Sequence, residues 1–353
     1  GEIKRAVFSL VNYLMPESVF TMRCSANVGS GGDVAIFLGR EETGKTTLAV
    51  DSQRRLIGDH SHAWCDEGIF NLDWGGYAKL LNVNAAEQPE IYACTRKFGT
   101  LLENVTLDPQ TRRLDLTDNS LTENSRGAYP ISHLPNAIRE GMFDHPRHMF
   151  LLTCDAFGVL PPIARLTAEQ ALYAFLSAYT SKFKQMASGE IEAEVMFNVS
   201  FGDSALALPA YAYGEKLLEK IKAHHVNCWL VNTGWSGEPS HRSARISISQ
   251  SRALVRAAVD GAFDNVEFEL DPVFQFEIPK ESPDASVPGK MLNPRQAAAD
   301  AGEYEMRANR LVAEFVKDFS KFEDKVPEEM RAVLSQIITV DDSFDFGEYD
   351  FTL

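Results

Sequence analysis

The spacing of apolar and polar positions divides the chain into short strands, turns and a few amphipathic helices. Residues 4–24 alternate around Pro16, which predicts a helix over 6–15 and then a strand running into Ser25-Ala26-Asn27. The glycine-rich stretch Gly29-Ser30-Gly31-Gly32 reads as a hairpin connection into an apolar run, Val34 to Leu38, that ends at Gly39. A second apolar run ends at Gly58-Asp59. Residues 99–135 break into short strands and turns, with a hairpin about Asp108-Pro109. Met149 to Thr153 is a buried-strand run. Thr167 and Gln170 form a capping box that opens a helix over about 168–186. Residues 208–225 predict an amphipathic helix with Tyr211, Leu217, Leu218 and Ile221 on its apolar side. Cys228 to Asn232 reads as a strand, 244–259 as a basic strand followed by a helix, and 280–295 as a proline-rich loop. A long helix is expected over 299–323, with Met306, Leu311, Phe315, Val316, Phe319 and Phe322 on one stripe. From Asp341 onward acidic and aromatic residues alternate, the pattern of a flexible tail or docking peptide. No internal repeat is visible. These segments predict one domain over 1–335 and a tail over 336–353.

Composition narrows the class. A chain of 353 residues that is 44% hydrophobic and 24% charged has ample core for a globular protein. A net charge of −16 argues against nucleic acid or an anionic membrane as the main partner. No apolar stretch reaches transmembrane length and no signal peptide is visible. The five scattered cysteines contain no C-x-x-C pair and read as reduced thiols, which predicts a cytoplasmic location. A chain that opens on Gly1 rather than Met is read as a fragment or a processed form.

The chemistry centres on residues 33–47, DVAIFLGREETGKTT. An apolar strand, Gly39, four residues and then Gly44-Lys45-Thr46 make the G-x-x-x-x-G-K-[ST] phosphate loop. Glycines let successive N–H groups point at one anion, and a helix beginning near Thr47 would add its positive end. Lys45 would sit against the β- and γ-phosphates of a nucleotide, and the Thr46 hydroxyl would ligate the nucleotide's Mg²⁺. Asp59, at a strand end, is a second candidate magnesium ligand, with a turn-initiating aspartate as the ordinary alternative. His60 and His62 are a weak candidate metal pair, since strand residues two apart share a face. Arg126 is a candidate phosphate-binding arginine, or one end of a surface salt bridge.

Collinear blocks then give a resemblance. NYL at 12–14, CSANVG at 24–29, TGKTTL at 43–48, LIGD at 56–59, GGYAK at 75–79 and LLENV at 101–105 are all similar to ATP-dependent phosphoenolpyruvate carboxykinases. So are DAFGVLPP at 155–162, RLTAEQ at 165–170, LVNTGW at 230–235 and RISI at 245–248. The chain resembles that family from Gly1 to about residue 322. The fold implied is α/β: a phosphate-loop-containing mixed twisted sheet with flanking helices, the nucleotide-binding half of the carboxykinase architecture. Family members carry a further large N-terminal domain, which is expected to be missing here. The family reaction converts oxaloacetate and ATP to phosphoenolpyruvate, CO₂ and ADP, with Mg²⁺ on the nucleotide and a second ion, typically Mn²⁺. The resemblance assigns Gly39, Thr43, Gly44, Lys45, Thr46 and Thr47 to the phosphate loop, and Asp59 to the first of two family aspartates. Lys79 and Arg126 match cations that contact phosphate and substrate. Arg245 and Ser251 align near the adenine.

The second-metal site departs from the pattern. The family's lysine, histidine and aspartate ligands fall on Arg5, Arg23 and His60, with Lys4 surviving just before the lysine position. Guanidinium is a very poor metal ligand and two of them repel a dication, so use of Mn²⁺ is doubtful. Arg5, Arg23 and a protonated His60 are expected instead to hold an anionic group by fixed charge. The loop also departs: Glu41-Glu42 replaces small residues and an extra glycine, which predicts a strained φ at Glu42 and carboxylates directed to solvent. Three functions stay open, in order: ATP-dependent phosphoryl transfer to an altered anionic small-molecule or protein acceptor; a non-catalytic nucleotide-binding subunit whose tail docks on another protein; and ordinary carboxykinase activity.

Overall fold

The computed structural model describes residues 2–139, 141–185, 191–197, 210–239 and 242–320. Its centre is an eight-stranded mixed sheet. Across the sheet the strands run Phe268–Leu270, Glu277–Pro279, Ile163–Leu166, Asn227–Asn232, Pro146–Thr153, Val34–Gly39, Cys24–Val28 and Arg55–Gly58. Asn227–Asn232 and Val34–Gly39 both pair parallel with Pro146–Thr153, and the outer strands pair antiparallel. The hairpin expected at Gly29–Gly32 is present, with Gly29 N–H donating to Asp33 O at 3.0 Å.

Burial on both faces explains why the inner strands read as continuous apolar runs rather than alternating ones. Ile36, Leu38, Met149, Leu151, Cys228 and Leu230 face one core. Ala35, Phe37, Phe150, Leu152, Trp229 and Val231 face the other. The first core is closed by the helices Ala168–Ser177, Ala210–Ala223 and Ala301–Phe319, and the second by Ile248–Val259, Pro89–Cys94 and Lys45–Ala49. Each fully buried Leu, Ile or Phe contributes about 1.5–3 kcal/mol to such a layer. A three-stranded sheet, Gly75–Lys79, Arg126–Pro130 and Leu101–Glu103, packs beside the phosphate loop.

Several expected elements are shifted. The N-terminal helix begins earlier, as Glu2–Leu14. The capping box of Thr167 and Gln170 is present, but the helix stops at Ser177 because Ala178 turns left-handed at φ 39°. The chain then enters the strand Thr180–Gln185, fixed by Ser181 N–H to Cys154 O at 2.9 Å and paired antiparallel with Ile191–Met196. Residues 243–247 form no strand; Ser247 instead caps the helix Ile248–Val259, reciprocally with Gln250. The proline-rich loop holds two one-turn helices, Gly289–Leu292 and Pro294–Ala297. On Ala210–Ala223 the buried face is Tyr213, Gly214, Leu217 and Ile221, while Tyr211 is exposed. On Ala301–Phe319 it is Tyr304, Ala308, Leu311 and Val312; Met306 and Val316 are exposed. Phe322 and the tail from Asp341 lie outside the described residues.

Candidate active site

The strand Val34–Gly39 delivers the phosphate loop at its carboxyl end. A side chain at Gly39 would put its Cβ 2.5 Å from Thr43 Oγ1 and 2.9 Å from Leu152, so the turn closes only around glycine. Thr43 is buried: its hydroxyl donates to Arg40 O at 2.8 Å, and its carbonyl accepts from Thr233 Oγ1 at 3.0 Å. Gly44 is left-handed at φ 98° and turns the chain into a helix, Lys45–Ala49, of only five residues. The anion cradle therefore belongs to the loop's backbone more than to a helix end. Glu42 takes φ 71°, as expected once a carboxylate residue replaces glycine there.

Lys45 is folded onto its own loop, donating to Gly39 O at 2.5 Å and Arg40 O at 2.9 Å. Burial, with Arg23 nearby, lowers its ammonium to about 8. Asp59 follows the strand Arg55–Gly58 and is 4% exposed. Burial pushes its carboxyl up to about 6, against hydrogen bonds from the Thr46 and Ser25 hydroxyls and the charges of Lys4 and Lys45. Ser25 Oγ lies 3.0 Å from Asp59 Oδ1. Thr46 and Asp59 thus meet, and a buried carboxyl held above its ordinary range is a place that a cation relieves. Loop, lysine, hydroxyl and carboxylate fit a nucleotide with a divalent cation.

The facing wall is cationic. Lys79 and Arg126 are direct partners on the antiparallel strands Gly75–Lys79 and Arg126–Pro130. Arg126 accepts orientation from Asn124, donating through Nε to Oδ1 at 2.7 Å. Lys4 pairs with Asp73 at 2.7 Å, and Arg23 Nη2 lies 3.5 Å from His60 Nε2. His60 is not the protonated group expected from the sequence. Burial and the surrounding Arg23, Lys4 and Lys45 depress it to about 2, so it is neutral at ordinary pH. Nor do His60 and His62 form a metal pair: His62 lies in the core, with Nδ1 2.9 Å from Cys24 O. Among the described residues no three His, Cys, Asp or Glu side chains gather to hold a metal ion. Arg5, Arg23 and His60, where the resemblance places the second ion, offer two guanidiniums and one imidazole, a donor set poorly suited to a dication.

The sequence pattern described as phosphoenolpyruvate carboxykinase matches residues 1–287. This chain belongs to the phosphoenolpyruvate carboxykinase family. It is 51% identical over 336 residues to the phosphoenolpyruvate carboxykinase (ATP) of Geotalea uraniireducens, covering 95% of this chain and 63% of that protein. It is 48% identical to the relative of that name from Pelobacter propionicus, with the same coverages. The relative from Parvibaculum lavamentivorans is 50% identical over 94% of this chain and 62% of its own length. The chain thus spans about 63% of the length of the curated relatives it matches.

Within this carboxykinase-family fold the other expected site residues take definite places. Thr47 Oγ1 turns to Gln88 Oε1 at 3.1 Å. Arg245 binds the back of the loop, through Nε to Thr233 O at 2.7 Å and Nη2 to Glu42 O at 3.3 Å. Ser251 is buried within the helix Ile248–Val259. Arg5 is half-exposed, with Nη2 3.4 Å from Glu41 Oε1. Three features were missed in the sequence. Ser25 supports Asp59, Thr233 ties the loop to the neighbouring strand Asn227–Asn232, and Glu41 and Glu42 bind the cations rather than facing solvent alone. Ser25 and Thr233 lie inside the family blocks CSANVG and LVNTGW, which were the available signal.

Proposed function

We propose that this protein binds ATP with Mg²⁺ and transfers the terminal phosphoryl group to an oxyanion, in a carboxykinase-type reaction whose first acceptor to test is oxaloacetate. The observation that carries this reading is the meeting of Lys45, Thr46 and Asp59 at the carboxyl ends of Val34–Gly39 and Arg55–Gly58, opposite Lys79 and Arg126. The names of the relatives support it. In this reading the loop amides and Lys45 hold the β- and γ-phosphates, while Thr46 and Asp59 hold the magnesium. Arg126 and Lys79 stabilise charge on the transferring group. Arg5 and Arg23 supply fixed positive charge toward the acceptor in place of a second ion. Lys4, held by Asp73, and neutral His60 line the same side. Arg245 and Ser251 are assigned to the adenine side. The five free cysteines support a reducing, cytoplasmic setting, and no helix among the described residues is long and apolar enough to cross a membrane.

A second reading, a nucleotide-binding protein without turnover, is favoured by the arginines at the second-ion positions. Calorimetric titration with ATP and Mg²⁺ is the first test, with Lys45→Ala expected to abolish binding. Phosphoenolpyruvate formation from oxaloacetate and ATP, with Mg²⁺ alone and with added Mn²⁺, separates the readings. Product formed equally with and without Mn²⁺ shows that the acceptor side does not require Mn²⁺. Binding without any product favours the second reading, and no ATP binding overturns both.

A further inference from the structure

The two carboxylates of the phosphate loop are bonded to the cations that an incoming anion needs. Glu41 lies between two guanidiniums: Oε2 accepts from Arg126 Nη2 at 3.0 Å and Oε1 from Arg5 Nη2 at 3.4 Å. Glu42 Oε1 accepts from Lys79 Nζ at 2.6 Å. Because Lys79 and Arg126 are cross-strand partners, the two ion pairs stand side by side. Glu42 keeps its place in a left-handed backbone conformation that costs a residue other than glycine about 1 kcal/mol. The carboxylate side chains are 53% and 44% exposed, while Arg126 is 10% exposed and fixed by Asn124. The carboxylates are free to swing into water; the buried guanidinium is not.

We propose that Glu41 and Glu42 are built-in occupants of the anion site formed by Arg5, Lys79 and Arg126, and that they compete there with the terminal phosphoryl group of a nucleoside triphosphate. A ligand enters by bringing a group of enough charge to displace both carboxylates, so the glutamates weaken binding of a nucleoside triphosphate, whose terminal group must displace them, relative to that of a diphosphate. A terminal phosphoryl group carries more charge and more acceptor oxygens than one carboxylate, and the half-exposed glutamates rehydrate cheaply once released. A diphosphate held by the loop amides and Lys45 leaves the two ion pairs in place. This inference rests on the nucleotide reading above and adds to it an internal competitor for the terminal-phosphoryl site.

The test is calorimetric titration with ATP·Mg and ADP·Mg of the wild type, E41Q, E42Q, the double variant and Lys45→Ala. Glu103→Gln serves as a control for a nearby carboxylate outside the ion pairs. The double variant is expected to bind ATP about tenfold tighter or more, with ADP and the control changing less than about threefold. Lys79→Gln is expected to weaken ATP and leave ADP nearly unchanged. Gains for ATP and ADP alike, or no gain, overturn the occupant role. Loss of binding in Lys45→Ala with no gain in the double variant sinks that role alone and leaves the nucleotide reading standing. No binding by any protein sinks both, whereas binding only by the double variant upholds the occupants. Thermal melting of each variant, expected within a few degrees of wild type for half-exposed Glu→Gln changes, keeps a folding defect apart from these outcomes.

Discussion

His62 and His148 show how a single buried side chain sets a pH limit. His62 is fully buried and His148 is 5% exposed; Nε2 of the first and Nδ1 of the second have no hydrogen-bond partner. Burial lowers both from 6.5 to about 4, aided at His148 by Arg147 and Arg54. A folded-state value below the unfolded one means that the unfolded chain takes up protons first. Stability from these groups is complete above about pH 6.5 and is lost as pH falls toward 4. At pH 5 each accounts for about 2 kcal/mol relative to neutrality. Asp59 acts in the opposite sense. Its raised carboxyl costs stability as pH climbs from its ordinary value toward 6, so the wild-type slope alone is ambiguous. The clean measurement is a difference: denaturant unfolding of wild type and His148→Gln at pH 7 and pH 5. His148→Gln is expected to lose about 2 kcal/mol less than wild type between the two pH values. An equal loss would show that His148 is solvated.

At the scale of elements, local signals carried as far as local physics decides. The capping box of Thr167 and Gln170 was readable because it is a four-residue pattern, and the structure has both reciprocal bonds. Thr167→Ala is therefore expected to lower stability by about 1 kcal/mol, checked by denaturant unfolding; a change under a few tenths would mean that the cap is idle. The strand, loop and Gly-Lys-Thr sequence from Val34 to Thr46 were legible for the same reason. The end of the helix at Ser177 was not. Its apolar spacing continues past that residue, and what stops it is a left-handed Ala178 and a bond from Ser181 to the distant Cys154 carbonyl. Met306 and Val316 show the same limit, since helical spacing names several adjoining faces and tertiary packing buries one. The ion pairs of Glu41 and Glu42 join residues far apart in sequence, Glu41 to Arg5 and Arg126 and Glu42 to Lys79, so no local pattern encodes them.

Across the whole molecule, we propose that Arg5, Arg23 and His60 on one side and Glu41 and Glu42 on the other form one electrostatic exchange. A protein with a net charge of −16 collects Lys4, Arg5, Arg23, Lys45, Lys79 and Arg126 around one strand end, where Glu41 feels Arg126, Arg5, Arg23 and Lys45 together. Removing a dication would leave acceptor-side anions unpaired; adding two guanidiniums restores charge, and two loop carboxylates then balance the cations when no ligand is bound. If that exchange is what distinguishes this chain, it should be reversible. The triple substitution Arg5→Lys, Arg23→His and His60→Asp returns the ligand types that the family uses. It should bind Mn²⁺ at least about tenfold tighter than wild type in the absence of nucleotide, measured by loss of the free-ion paramagnetic resonance signal. Returning Glu41 to Ser and Glu42 to Gly in the same protein tests whether the halves are linked. Linked halves require the loop change to alter Mn²⁺ affinity in the triple variant and to leave Mn²⁺ affinity unchanged when made in the otherwise wild-type protein. Wild-type protein that binds Mn²⁺ as tightly as the triple variant would show that the arginines never displaced the ion.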